Sequence, residues 1–246
     1  MPQEHLLRRL QDTVSLCEQR GIPCFLGFLD EGQGELARRF AKVHCGPHYL
    51  LWGGYEGAGR TLFGAFPQDY EPESGCFPVI PLYITFRKEA QLSHRDFLGA
   101  LLGLGVERDA VGDILIEPGR CAVFVKRELE PFFTQQLRQV GREGVSFVPG
   151  GFPLPQPKEK IPLFYTVASA RLDCVVSALC GASREKSKQL VASGLVTLNS
   201  VTSLEGSREV AEGDVLSIRK TGKFRIDQFG PPTKKGRLRL TVLQYQ

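Results

Sequence analysis

The segment Ser183–Asn199, SREKSKQLVASGLVTLN, opens on a helix-start residue, carries three cations within five positions, stops at a glycine and ends in a short alternating strand. Ser183 suits an N-cap, because its side-chain oxygen can accept from the first free backbone N–H groups. Gly194 suits the residue just past the helix end, where left-handed backbone is needed. Leu190 and Val191 point inward in this reading. Arg184 and Lys188 are i, i+4 neighbours on the outer face, and Lys186 lies off that stripe and adds to the field. Upstream, Leu172, Val175, Val176 and Leu179 recur at helical spacing and Gly181 breaks the run, which predicts a first helix with one buried face. Downstream, Val196 and Leu198 alternate with Thr197 and Asn199. EGDVLSIRK (212–220) reads as a second strand. KFRIDQFG and GRLRLTVLQY pair as a hairpin around PPTKKG, with Leu238, Leu240 and Val242 facing one way and Arg237, Arg239 and Thr241 the other. The sum is two helices packed on a small sheet, with cations on the helix, the hairpin loop and the outer face.

Charge follows the same division. Residues 171–246 hold 13 Lys+Arg and 7 Asp+Glu, a net of +6, which leaves 18 cations and 20 acids, a net of −2, for the rest of the chain. A basic module on a near-neutral body fits a polyanionic partner. Charge alone fits a solvated surface equally well.

The 246 residues allow two or three small domains, and 42% apolar with 24% charged residues is the composition of a soluble globular protein. No apolar run approaches the ~20 residues that span a bilayer. The opening MPQEHLLRRLQD lacks a signal peptide's apolar core, so a cytoplasmic protein is expected. Seven scattered cysteines without a C-x-x-C read as reduced, mostly buried thiols. HCGPH (44–48) could supply half a zinc site, but a second ligand pair is absent, so no metal and no cofactor is expected.

Before the basic module, residues 3–20 read as an amphipathic helix stopped at Gly21. GQGELARRFAKVH (32–44) reads as a second helix. HYLLWGG and RTLFGAF read as strands flanking GGYEGAG, whose glycines are turn residues and not a phosphate loop, since no G-K-[ST] follows. Residues 77–87 read as a strand, Ser93 as the cap of a helix through HRDFLGALLGLG, and GDILIEP and RCAVFVK as strands joined at Pro118–Gly119. RELEPFFTQQLRQVG reads as a helix from Glu130, and GVSFVP (144–149) as a closing strand. This β-α-β-β-α-β order is ferredoxin-like, the framework also used by RRM domains. An RRM needs exposed aromatics on its central strands. RCAVFVK offers only Phe124, on the face with Ala122 and Lys126, so the domain reads as structural or docking. PGGFPLPQPKEKIP (149–162) reads as an extended connector. The expected organisation is therefore α+β: an N-terminal α/β region (1–75), an RRM-like ferredoxin-like domain (76–150), a Pro-rich linker (151–168) and a basic C-terminal domain (169–246).

Arg171-Leu172-Asp173, Ser183-Arg184, GLVTLN and EGDVLSI, in that order, resemble the S4 RNA-binding domain. The usual Asn-Gly is Asn199-Ser200 here. FLDEGQGELA, GGYEGAGR, FPVIPLYI, LSHRDFLGALLGLGVERDAVGDILI and TKKGRLRL extend a resemblance to the YlmH family over nearly the whole chain. That resemblance implies a ribosome-associated RNA-binding protein with an RRM-like middle domain and a C-terminal S4 domain. It further implies roles in rescue of stalled large subunits, with peptidyl-tRNA handling, and in cell division.

Some S4 modules are fused to pseudouridine synthases, whose catalytic motif contains Arg-Leu-Asp. Here that triplet opens the first S4 helix, so Asp173 reads as orienting that helix and its arginine. G-x-S-x-G and H-E-x-x-H are absent. The reading is a non-enzymatic, monomeric protein that binds ribosomal RNA on the large subunit, with tRNA as a further partner and no membrane. The alternatives are an RNA-modifying enzyme and a protein-binding division scaffold. The expected RNA-binding residues are Arg171, Asp173, Ser183, Arg184, Lys186, Lys188 and Asn199, then Lys220, Lys223 and Arg225 along the strands, and Lys234, Lys235 and Arg237 at the hairpin.

Overall fold

The computed structural model describes residues 3–155, 161–199 and 201–245. It divides into two compact units: residues 7–157, and residues 158–246 taken with the first six residues. Helix α1 (Gln3–Arg20) buries Leu6, Leu10, Val14 and Cys17. It is followed by β1 (Cys24–Leu29), α2 (Glu31–His44), β2 (Tyr49–Trp52) and β3 (Thr61–Ala65), whose strands form an antiparallel sheet in the order β1-β3-β2. Asp30 and Gln33 close a capping box at the start of α2, whose buried face is Gly32, Gly34, Ala37 and Ala41. Such small residues let a helix approach a sheet closely.

The chain continues through β4 (Val79–Thr85), α3 (His94–Gly103), β5 (Val111–Glu117), β6 (Arg120–Lys126), α4 (Glu130–Gln136), β7 (Gln139–Val140), β8 (Glu143–Gly144) and β9 (Ser146–Phe147). Strands β5-β6-β4-β9 lie in that order, all antiparallel. Ser93 caps α3 in a box with Asp96. Helix α4 is shorter than the sequence suggests, because Leu137 and Val140 turn into the core and β7 pairs with β8. The closing strand is likewise reduced to β9, which pairs with Ile84 and Thr85, and Val148 N–H continues the contact to Tyr83 O at 2.9 Å.

The two faces of this sheet differ from a half-solvated one. One face, with Cys121, Val123 and Val125, packs with Phe97 and Leu101 of α3 and Phe133 of α4. The other, with Leu115, Ala122 and Phe124, packs with Phe28, Leu62, Phe66 and Phe77. Residues on both sides of position 75 thus share one core, within one compact unit. The glycine-rich loop is built into that contact. Tyr55 stacks 4.8 Å from Phe124 and donates its hydroxyl to Asp113 at 2.7 Å, and the Gly59 N–H donates to the same carboxylate at 2.6 Å. Gly54 sits at φ +100°, where a Cβ would lie 2.4 Å from the Phe124 ring, so only glycine fits.

The second unit contains β10 (Ile161–Val167), α5 (Leu172–Cys180), α6 (Arg184–Ala192), β11 (Val196–Leu198), β12 (Val201–Thr202), β13 (Val215–Ile218), β14 (Gly222–Pro232) and β15 (Leu238–Gln244). Its sheet runs β10-β15-β14-β13-β11-β12. The hairpin of β14 and β15 and the two helices are as the sequence indicates. The 151–168 linker is corrected: residues 161–167 pair with β15 throughout their length, and residues 156–160 lie outside the described residues. Leu163, Tyr165 and Val167 supply an inward face, and Pro162 is tolerated because β10 is an edge strand. Leu172, Val175, Val176, Leu179 and Val191 of the helices close the core against the same side of the sheet.

Candidate nucleic-acid interface

The interface is built around the start of α5 and α6. Arg171 occupies the N-cap of α5 with extended backbone (φ −74°, ψ 145°) and has no side-chain capping bond there. Its guanidinium instead reaches Asp173, with Nε 3.2 Å from Oδ1 and Nη2 3.3 Å from Oδ2. Asp173 is fully buried, and Arg184 Nε approaches its Oδ2 at 3.8 Å. The Arg171 and Arg184 side chains themselves are 39% and 60% exposed. A buried carboxylate is therefore shared by two arginines whose side chains stay partly exposed. Burial pushes the Asp173 carboxyl up, but hydrogen bonds from Arg171 and Cys174 and the charges of Arg171 and Arg184 outweigh it and hold the group below the ordinary aspartate value.

Helix α6 carries an energetic conflict. Arg184, Lys186 and Lys188, all exposed, crowd its first half, where the helix dipole is positive and cations are disfavoured. Glu185 and the nearby Asp173 relieve part of this. A phosphate placed here would meet aligned N–H groups, the positive helix end and three cations at once. Locally unfavourable choices of this kind mark functional sites.

The other expected residues fall into different settings. Ser183 caps α6, its hydroxyl accepting from Lys186 N–H at 3.3 Å, so this side chain serves the helix. Asn199 has left-handed backbone at φ 51°, and its side chain donates to Asp214 Oδ1 and accepts from Val215 N–H, both at 2.8 Å. Leu198 pairs with Val201, and Ser200, where glycine is usual, lies outside the described residues. Lys220 turns the chain between β13 and β14 at φ 69°. Lys223 lies 4.6 Å over the Tyr245 ring, and Arg225 is half-buried on β14. Lys234 and Lys235 are exposed at the hairpin tip. Arg237 donates to Thr166 O at 2.8 Å, which fixes this patch to β10.

The structure adds Arg208. The segment around it bonds to the start of α5, with Leu172 N–H donating to Arg208 O at 2.8 Å and Asp173 N–H to Gly206 O at 2.9 Å. This places the exposed Arg208 on the backbone beside Arg171. The pairing is long-range in sequence, and the local pattern SLEGSRE gives no sign of it.

The HCGPH residues do other work: His44 stacks on Phe40 at 4.3 Å, and burial pushes the Cys45 thiol up to about 11. No group of three or more His, Cys, Asp or Glu side chains arranged for a metal occurs among the described residues.

Comparison with known proteins places the chain. It is 34% identical over 203 residues to "Ribosome-associated protein quality control protein P2" of Bacillus subtilis, covering 77% of this chain and 75% of the relative. A family model described as "Putative RNA-binding domain in YlmH" matches residues 72–150. The chain belongs to the YlmH family. The mixed α and β fold is also similar to a solved structure, "Cell division protein ylmH from Streptococcus pneumoniae", with a TM-score of 0.51 at 22% identity over 59% of this chain and 90% of that one. No described helix is long and apolar enough to cross a membrane.

Within this YlmH-family chain, the model match falls on the β4–β9 region, whereas the Arg171–Asp173–Arg184 cluster lies in the other compact unit. The two observations concern different surfaces.

Proposed function

We propose that this chain is a non-enzymatic RNA-binding protein that docks on ribosomal RNA of the large subunit and acts on stalled translation in the cytoplasm. The observation that carries the reading is the cation cluster at the start of α6, whose Arg184 shares the buried Asp173 with Arg171. The name of the Bacillus subtilis relative supports a ribosomal setting. In this reading the basic unit is an S4 module to which β10 adds an edge strand, and the β4–β9 sheet is an RRM-like ferredoxin-like domain. Arg184 and Lys188 contact phosphates, Arg171 sits beside them, and the hairpin cations form a second patch. The chain acts as a monomer, and tRNA is its further RNA partner. The full burial of Asp173 between arginines favours orientation over catalysis at that carboxylate.

The test is cosedimentation of the purified chain with separated small subunits, large subunits and 70S ribosomes across a salt series. Selective, salt-sensitive binding to free large subunits is expected. Each lost phosphate contact lowers the salt slope by about one unit. Unchanged affinity at fixed salt after Arg184→Glu with Lys188→Glu would sink the reading.

A further inference from the structure

We propose that the outer face of the six-stranded sheet, opposite α5 and α6, is a stacking platform for unpaired RNA centred on Phe164. This inference rests on the RNA-binding reading and adds a second contact surface to it. Phe164 is 76% exposed, whereas its neighbours Leu163 and Tyr165 pack into the core. Strand alternation therefore points its ring away from the helices. A single exposed apolar side chain needs no explanation, but its surroundings here do.

Register places those surroundings. Phe164 pairs with Thr241 on β15, which pairs in turn with Gln228 on β14. The adjacent row is Thr166, Arg239 and Gly230. Arg239 is exposed, and Gly230 beside it carries no side chain; a Cβ there would lie 3.3 Å from Arg239 Cβ. The ring is thus flanked by a guanidinium and by Thr166 and Thr241, with Gln228 one strand further, all able to hydrogen-bond base edges. Further along the same face are Arg225, and Lys223 over Tyr245, with Asp227 as an acid in the β14 bulge.

An exposed aromatic with flanking cations on a sheet face fits a ligand offering flat rings along an anionic backbone. Duplex RNA does not expose its base faces, so the ligand is single-stranded. Addition of a protein strand to the free edge of β10 is disfavoured by Pro162, which has no N–H to give.

The experiment titrates the full chain with a fluorescein-labelled short oligouridylate and with large subunits. Phe164→Ala should weaken oligouridylate binding about tenfold with an unchanged salt slope, since stacking is lost and no cation is. Phe164→Trp should retain binding, and its added fluorescence should be quenched by the stacked base. Native-like oligouridylate affinity in Phe164→Ala, or no quenching in Phe164→Trp, overturns the platform. If Arg184→Glu with Lys188→Glu still abolishes subunit binding in that case, the platform alone has failed. If the native chain binds neither probe at low salt, the RNA-binding reading has failed and the platform with it.

Discussion

Asp173→Asn isolates the device that orients the arginines. The substitution keeps shape and removes the charge that Arg171 and Arg184 share. Hydrogen bonds to charged groups contribute about 1.5–3 kcal/mol when desolvated. Here both arginines are partly exposed and regain water when released, so the discounted loss is about 1–2 kcal/mol. For a unit of this size that lowers Tm by roughly 5–10 °C. The pH dependence carries the sign. The folded carboxyl lies below its ordinary value, so its contribution is full above the unfolded aspartate pKa and fades as pH falls through the folded one. The curves of the native chain and of the Asp173→Asn variant should therefore differ at neutral pH and converge at acid pH. The assay is thermal denaturation followed by circular dichroism across pH, with hydrogen exchange to place the loosening at the amides of residues 172 and 173. Equal Tm values at neutral pH, or a difference that widens in acid, would refute the reasoning.

Ser183→Ala should cost about 1 kcal/mol through loss of the α6 cap, and Ser183→Asp should recover most of it in the same melting assay. Asn199→Ala removes both bonds to Asp214 and Val215 and should cost about 1–3 kcal/mol in urea denaturation; a neutral result would mean those bonds are not formed. Gly54→Ala forces a Cβ against Phe124 at positive φ and should cost about 2 kcal/mol or more, seen as a lower urea midpoint by Trp52 fluorescence. Native-state alkylation read by mass spectrometry should modify the half-buried Cys45 slowly at pH 8, where its thiol at about 11 is only about one part in a thousand ionised, and about tenfold faster at pH 9.

The elements legible in the sequence are those fixed by local rules. Ser183 and Gly194 bound α6, and the alternation of Leu238, Leu240 and Val242 marks β15 and its inward face. Strand β10 is hidden because Pro162 argues against a strand and Phe164 breaks the expected burial. Only pairing with β15, far along the chain, makes it one. Site residues divide in the same way. The cations of α6 follow from helical spacing. Ser183 is legible as the α6 cap, whereas the bonds that tie the Asn199 side chain to Asp214 and Val215 are not. Short polar side chains of this kind bond to nearby backbone, and sequence does not show which bond prevails. Arg208 escapes sequence reasoning because its position beside Arg171 depends on a backbone contact across a loop.

The covered face of the β4–β9 sheet narrows what the region matched at 72–150 can do with RNA. RRM-type recognition needs central-strand aromatics open to bases. Phe124 is fully buried beneath Tyr55 and the aromatic residues of the first sheet. Exposing it would mean separating a core that also holds Phe28, Leu62 and Phe77, at several kcal/mol of lost burial for side chains of this size. Base stacking on that face is closed in this fold. Outside the covered face this region still presents exposed cations, Lys88, Arg138 and Arg142 among them, and the partly open ring of Phe132 on α4. All three cations can position a phosphate backbone, and the two arginines can also lay a guanidinium plane against a base. An open aromatic on a sheet is found instead in the C-terminal unit, at Phe164. If both regions bind RNA, substitutions at Lys88, Arg138 and Arg142 should lower the salt slope, whereas Phe164→Ala should lower affinity at constant slope.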